Sequence, residues 1–196
     1  MYEKKFGKFI SENYSIYDFG HASSVFKEDY ENEFGEVIDS LYNFRLKKNH
    51  IIRGGGGRSD IPKLLEQPLN EKGWSNKEFK IKILIDDKEK KIDTHEIDCF
   101  KNEVGLEIEW NNKTEFYDRD LNNFRILHQY GALSLGIIIT RDNSLDEIFK
   151  KLKIYDKYGS STTIISKLLN KINSGALGGC PLLVFGITKK LYINTE

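Results

Sequence analysis

The stretch Ile97-Asp98-Cys99-Phe100-Lys101-Asn102-Glu103-Val104-Gly105-Leu106-Glu107-Ile108-Glu109-Trp110 decides how the chain is read. From Leu106 to Trp110 apolar and acidic residues alternate. A strand there sends Leu106, Ile108 and Trp110 to one face and Glu107 and Glu109 to the other. Lys101-Asn102-Glu103 is polar and reads as a turn. A two-residue loop at Asn102-Glu103 pairs Phe100 with Gly105 and Asp98 with Glu107, whereas a three-residue turn would slip the pairing by one. In the first register two carboxylates stand face to face, which destabilises a sheet unless positive charge lies between them. A divalent cation meets that need. Hard cations such as Mg²⁺ take oxygen ligands, commonly one or two carboxylates completed by phosphate oxygens and water. The pattern therefore points to metal-assisted phosphodiester hydrolysis. The same residues also fit a solvated hairpin whose outward face is acidic.

The flanks add order to this hairpin. After Asn111-Asn112-Lys113, the segment from about Phe116 to Tyr130 carries Phe116, Leu121, Phe124 and Leu127 at helical spacing and is closed by Gly131. Leu133 to Thr140 is a nearly continuous apolar run and reads as a fully buried strand. The expected succession is hairpin, helix, buried strand.

That succession, with Asp98 on the first strand and Glu107 and Glu109 on the second, resembles the catalytic core of type II restriction endonucleases of the PD-(D/E)xK superfamily. The resemblance is closer to the BglII/BamHI-like group, whose pattern is an Asp followed after a short gap by Glu-x-Glu or Glu-x-Gln. The run Gly105 to Lys113, with Asp118-Arg119-Asp120-Leu121-Asn122-Asn123-Phe124-Arg125 after it, looks like the BglII-like subset. One position departs from the superfamily: Glu109 stands where most members have Lys.

The resemblance implies an α/β fold, a restriction-endonuclease-like core with a mixed central sheet flanked by helices. It implies a single endonuclease domain over 1–196, with a helical N-terminal part at 1–50, a catalytic core at 76–141 and a DNA-contacting part at 158–190. It implies a Mg²⁺-dependent type II site-specific deoxyribonuclease that cuts double-stranded DNA at a short, palindromic site and leaves 5′-phosphate ends. Asp98 and Glu107, with the Ile108 carbonyl, would hold the metal, and Glu109 would orient or deprotonate the attacking water. Three carboxylates are also compatible with two ions per site. A two-fold homodimer would present one site to each strand of a palindrome.

Composition sets bounds on these expectations. The 196 residues suit one domain with a sizeable core, and 31% charged against 39% hydrophobic residues fits an ordered globular chain. The formal net charge is zero. DNA binding must then rest on local clusters of cations, because no general basic coat exists. No apolar run is long enough to cross a membrane and no secretion signal is visible, so a cytoplasmic location is expected. Cys99 and Cys180 have no metal-like spacing and read as buried free thiols. The four histidines form no zinc-type cluster, and His95, three residues before Asp98, is expected to face away from it with a structural role.

Residues 1–50 read as helical, with an aromatic stripe that is core or a subunit interface. Arg53-Gly54-Gly55-Gly56-Gly57-Arg58-Ser59 sets glycines among cations. Such a run lets main-chain amides approach phosphate, and it equally suits a flexible surface loop. It lacks the Gly-Lys-Ser/Thr ending of a nucleoside triphosphate loop, so no nucleotide triphosphate is expected. Its place before Ile61-Pro62-Lys63-Leu64-Leu65 resembles a DNA-contacting segment of BglII-like enzymes, which marks Arg58 and Ser59. Pro68 argues for a kink or an early end, which would divide the helix into two short pieces. Phe79 to Ile85 alternates as a strand, and Asp86 to Lys91 reads as a polar turn. Tyr158-Gly159-Ser160-Ser161-Thr162-Thr163 precedes a helix from Ile164 to Ile172. Its hydroxyls suit helix capping, and they equally suit contacts to phosphates or base edges. Leu182 to Ile187 is another buried strand. The DNA-contacting candidates are Arg58, Ser59, Asn111, Asn112, Lys113, Ser160, Ser161, Thr162 and Thr163.

Three other functions share some of these features. A structure-selective nuclease such as a junction resolvase would keep the core. A non-catalytic DNA-binding module would carry the acidic hairpin as mere surface. In a carboxylate-pair glycosidase the two acids flank a sugar, whereas Glu107 and Glu109 are neighbours on one strand face.

Overall fold

The computed structural model describes residues 2–52, 60–159 and 161–194. Its N-terminal part runs α1 (Tyr2–Asn13), β1 (Tyr14–Phe19), α2 (Ala22–Asp29), α3 (Glu31–Asn43), β2 (Leu46–Lys47), α4 (Lys48–Ile52) and α5 (Asp60–Asn70). The middle holds β3 (Ser75–Lys77), β4 (Ile81–Ile85), β5 (Lys88–Ile92), β6 (Ile97–Lys101), β7 (Val104–Glu109), α6 (Glu115–Gln129) and β8 (Leu135–Arg141). The chain closes with α7 (Leu145–Lys151), α8 (Ile165–Asn173), β9 (Leu182–Ile187) and β10 (Tyr192–Ile193).

Six strands form the central sheet in the order β1-β9-β8-β7-β6-β3. Strands β7, β8 and β9 are parallel, and β1, β6 and β3 join antiparallel, so the sheet is mixed. The three parallel strands are buried along their whole length, as expected for strands covered on both faces. One face carries Leu106, Ile108, Trp110, Leu135, Ile137 and Ile139, packed against α1, α3, α5 and α7. The other packs Ile138 and Val184 against Tyr117, Leu121 and Phe124 of α6 and Leu168 of α8. The α/β expectation holds.

The β6–β7 hairpin turns at Asn102 and Glu103, both left-handed at φ 45° and 66°. Two successive left-handed residues make the two-residue turn whose twist matches antiparallel strands. Phe100 therefore faces Gly105, as the two-residue loop requires. Beyond that turn, Gly105 and Gly136 leave a flat patch over which the Phe124 ring lies.

Three expectations for the chain are corrected. The first fifty residues are not wholly helical: Tyr14–Phe19 is an edge strand paired with β9. Lys88–Ile92 is a strand rather than part of a turn, because it pairs with β4 in a separate two-stranded sheet. Helix α5 is one helix through Pro68, since Leu65 and Leu69 on either side of it are buried in the same core.

Candidate active site

At the end of the sheet where β6 begins and β7 finishes, a cleft of about 870 Å³ opens between α5 and α6. Asp98, Ile108, Glu109, Asn111 and Asn112 line it from the sheet side, Glu66 from α5, and Arg119 from α6. Glu107 lies behind this surface, 1% exposed, and Glu109 is 2% exposed. The two glutamates of the hairpin's acidic face are thus enclosed, and Asp98 is half-buried at the edge of the cleft.

The hairpin register places Asp98 opposite Glu107, and there side chains stand in for the main-chain ladder. The Ile108 amide donates to Asp98 Oδ2 at 3.1 Å, and the Asp98 amide faces Glu107 Oε2 at 3.4 Å. Glu107 Oε1 is buried with no hydrogen-bond partner, and so is Asp120 Oδ2 on α6. Burial raises the Glu107 carboxyl well above the ordinary range, and the charges of Asp120, Asp98 and Glu109 push it further the same way. Burial, then Asp120, pushes Glu109 up to about 9, against the pull of an Asn112 hydrogen bond and Arg119. Burial lifts Asp120 to about 6, with Arg119 the main opposing influence. Four carboxyls share a site with one nearby guanidinium. Such a cluster is short of positive charge.

Glu109 is gripped from two sides. Asn112 Nδ2 donates to its Oε2 at 2.8 Å, and Arg119 Nη2 stands 3.5 Å from its Oε1. Arg119 is itself forked onto Asp120 Oδ1 through Nε at 2.9 Å and Nη2 at 2.8 Å, with its plane 4.2 Å over the Phe116 ring. Fork and stack fix the guanidinium in a way a lysine could not.

Among the described residues, no three His, Cys, Asp or Glu side chains are grouped so as to hold a metal ion. Mg²⁺ does not demand three such ligands, because it keeps water and takes substrate phosphate oxygens. Asp98, Glu107 and the Ile108 carbonyl are hard oxygen donors, and the orphaned Glu107 Oε1 is the kind of atom that a cation satisfies. The residues fit the ion.

A family model described as restriction endonuclease BglII/BglIII matches residues 14–187. The chain belongs to this family. It is accordingly a type II site-specific deoxyribonuclease, and its mixed sheet flanked by helices is a restriction-endonuclease-like fold. No curated protein matches the chain. Among the described residues no helix is long and apolar enough to cross a membrane.

Within this BglII/BglIII-family chain, the DNA-contacting candidates fall into three groups. Arg58, Ser59 and Ser160 lie outside the described residues. Asn111 and Asn112 line the cleft, and the segment after them pairs with the hydroxyl stretch through a bridge between Lys113 and Thr162. Thr163 requires a correction: it is fully buried, and its hydroxyl accepts from the Asn112 amide rather than reaching the surface. Among the described residues none of these hydroxyls caps α8, whose N-cap is the extended Ile164 with no side-chain hydrogen bond.

His95 is corrected too. It lines the cleft beside Asp98, with its ring pKa lowered by burial and by the Arg119 charge. Its main chain is held by Asn123, which donates to the His95 carbonyl at 2.8 Å. Glu66, Arg119 and Asp120 are functional candidates that the sequence reading passed over. For Asp120 the signal was present: it stands three residues after Tyr117 and four before Phe124, on the buried face of α6.

Proposed function

We propose that the protein is one endonuclease domain hydrolysing double-stranded DNA in a Mg²⁺-dependent reaction at a short palindromic site, leaving 5′-phosphate and 3′-hydroxyl ends. The observation that supports this most is the burial of Glu107 opposite Asp98, with one Glu107 oxygen lacking any partner. In an ordinary surface hairpin both carboxylates would face water, and neither would need a counter-charge.

Asp98, Glu107 and the Ile108 carbonyl would hold the ion, which when bound lowers the pKa of a water and offsets charge developing on the phosphate. Glu109, held by Asn112 and Arg119, orients the attacking water and receives its proton. Burial and Asp120 raise that carboxyl, while positive charge beside it, such as Arg119, favours the ionised form that a base requires. Asn111 and Asn112 line the cleft, and Lys113, Ser161 and Thr162 belong to the segments clasped beside them; together they would contact phosphates and base edges, and asparagine suits adenine. Two copies related by a two-fold axis would each address one strand.

The test is incubation of duplex DNA with the protein and Mg²⁺, with and without chelator, followed by sequencing of the ends. The expected result is cutting at one fixed sequence, dependent on the cation, with 5′-phosphate termini. Cutting that survives chelation, or that occurs only at branched DNA, overturns the proposal.

A further inference from the structure

We infer that Arg141 is a positioning residue that locks the two candidate DNA-contacting segments into one register with Glu109, so that recognition of the target and cutting are coupled. The inference rests on the endonuclease reading above and concerns a residue outside the acidic cluster.

Arg141 ends β8 and is 2% exposed. Its Nε donates to the Thr163 carbonyl at 2.7 Å. Its Nη2 donates to the Tyr158 carbonyl at 3.1 Å and to Thr162 Oγ1 at 2.8 Å. Nη1 reaches Asp146 at 3.4 Å. The guanidinium lies 5.6 Å and 5.8 Å from the ring centroids of Tyr158 and Phe149, which stack on each other at 3.9 Å. Burying an arginine is costly, and burial lowers its pKa here. Neutralising that charge requires only Asp146. Nε and Nη2 are spent on Tyr158, Thr162 and Thr163, and a rigid planar fork is needed to reach these three acceptors at once.

That turn is clasped to the strand end that follows Glu109. The Thr163 amide donates to the Asn112 carbonyl at 2.8 Å, and the Asn112 amide to Thr163 Oγ1 at 3.2 Å. The Thr114 amide donates to the Ser161 carbonyl at 2.9 Å, and Lys113 bridges to Thr162. Asn112 then holds Glu109 at 2.8 Å. A path of short hydrogen bonds runs Arg141, Thr163, Asn112, Glu109. A displacement of the clasp by a base pair that does not fit is therefore carried to the carboxylate that acts on water, without any change at Asp98 or Glu107.

The experiment compares wild type, Arg141→Lys and Thr162→Val as full chains. Each is assayed on a duplex bearing the cleaved sequence and on duplexes with single base-pair changes in it. Single-turnover cutting at varied protein concentration separates the saturating rate constant from half-saturation, and calorimetric titration with Mg²⁺ reads cation binding. For Arg141→Lys we expect a fall of about tenfold or more in both the saturating rate constant and the preference for the cognate site, with cation affinity unchanged. Thr162→Val, which removes one acceptor, shifts both in the same direction by a smaller factor. Arg141→Lys with wild-type rate and preference overturns the inference, as does a loss that vanishes on normalising to the folded fraction measured by circular dichroism. If Arg141→Lys does not fold, Thr162→Val with unaltered preference overturns it. A wild-type protein that cuts no sequence removes the endonuclease reading and this inference with it, whereas an active wild type beside an unaffected Arg141→Lys removes the inference alone.

Discussion

Asp98 Oδ2 accepts a hydrogen bond from the Ile108 main-chain amide at 3.1 Å, across the hairpin from its own strand. The bond aligns one Asp98 oxygen beside the carbonyl-bearing residue that separates Glu107 from Glu109. It explains how a carboxylate stays in place at the point where ordinary ladder bonding stops. In Asp98→Asn the amide oxygen can still accept from Ile108, so the hairpin should persist while one negative ligand is lost. The expected outcome is a drop in single-turnover cutting of about a thousandfold or more, with duplex binding retained in a gel-shift assay. Cutting at the wild-type rate would remove Asp98 from the machinery.

The acid cluster makes stability depend on pH in an unusual sense. Glu109 is raised to about 9 and Asp120 to about 6, both above their ordinary values of 4.5 and 3.8, because they are buried together. A carboxyl that binds its proton more tightly when folded lends full stability below its unfolded pKa. That stability is lost as pH rises toward the folded value. The cation-free protein should therefore be more stable to urea at pH 5 than at pH 8. Saturating Mg²⁺ should narrow the difference by binding the native state, and Glu109→Gln should narrow it without any cation. Equal or greater stability at pH 8 in chelator would show that the cluster is not held as described.

Gly136 sits under the Phe124 ring, where a methyl group would collide with ring carbons. Phe124 packs α6 onto the sheet, and α6 carries Arg119 and Asp120 to the acids. Gly136→Ala should cost about 1–3 kcal/mol, the usual penalty for overfilling a tight core. Adding Phe124→Leu should recover part of it, and thermal melts of the single and double variants check this. A neutral Gly136→Ala would mean that the ring has room to shift.

The hairpin, α6, β8 and β9 were legible because their patterns are local: strict alternation, a polar turn, helical spacing, continuous apolar runs. Strand β1 was not. Tyr14–Phe19 has no clean alternation, and it becomes a strand only by pairing with β9, which lies far along the chain. The acids on β7 could be found from their spacing and Asp120 from its place between Tyr117 and Phe124, whereas Glu66 resembles a helix surface charge until the opposing elements are placed. Thr163 shows the same limit. Its hydroxyl could cap a helix or touch DNA, and what decides its role is Asn112, on the strand end that happens to lie against it.

Arg119 supplies the nearest positive charge to Glu109, at 3.5 Å, and is anchored on Asp120 at 2.8 Å. Its side chain is 31% exposed while the two acids are almost wholly enclosed. Arg119→Gln would leave those carboxyls without a guanidinium. Removing one partner of a buried pair costs about 3–5 kcal/mol, and partial exposure of this arginine reduces that to about 1–3 kcal/mol. The acids can also escape by keeping their protons, so the loss should be small at pH 5 and larger at pH 8, read by urea denaturation. Cutting should fall as well, because Glu109 then loses the guanidinium that faces it, and half-saturation by DNA should change less than the saturating rate constant. Arg119→Lys should restore part of the stability at pH 8, by charge, and little of the rate, because a single ammonium cannot fork onto Asp120 and face Glu109 together. If Arg119→Lys restores both fully, charge alone matters and the fork does not.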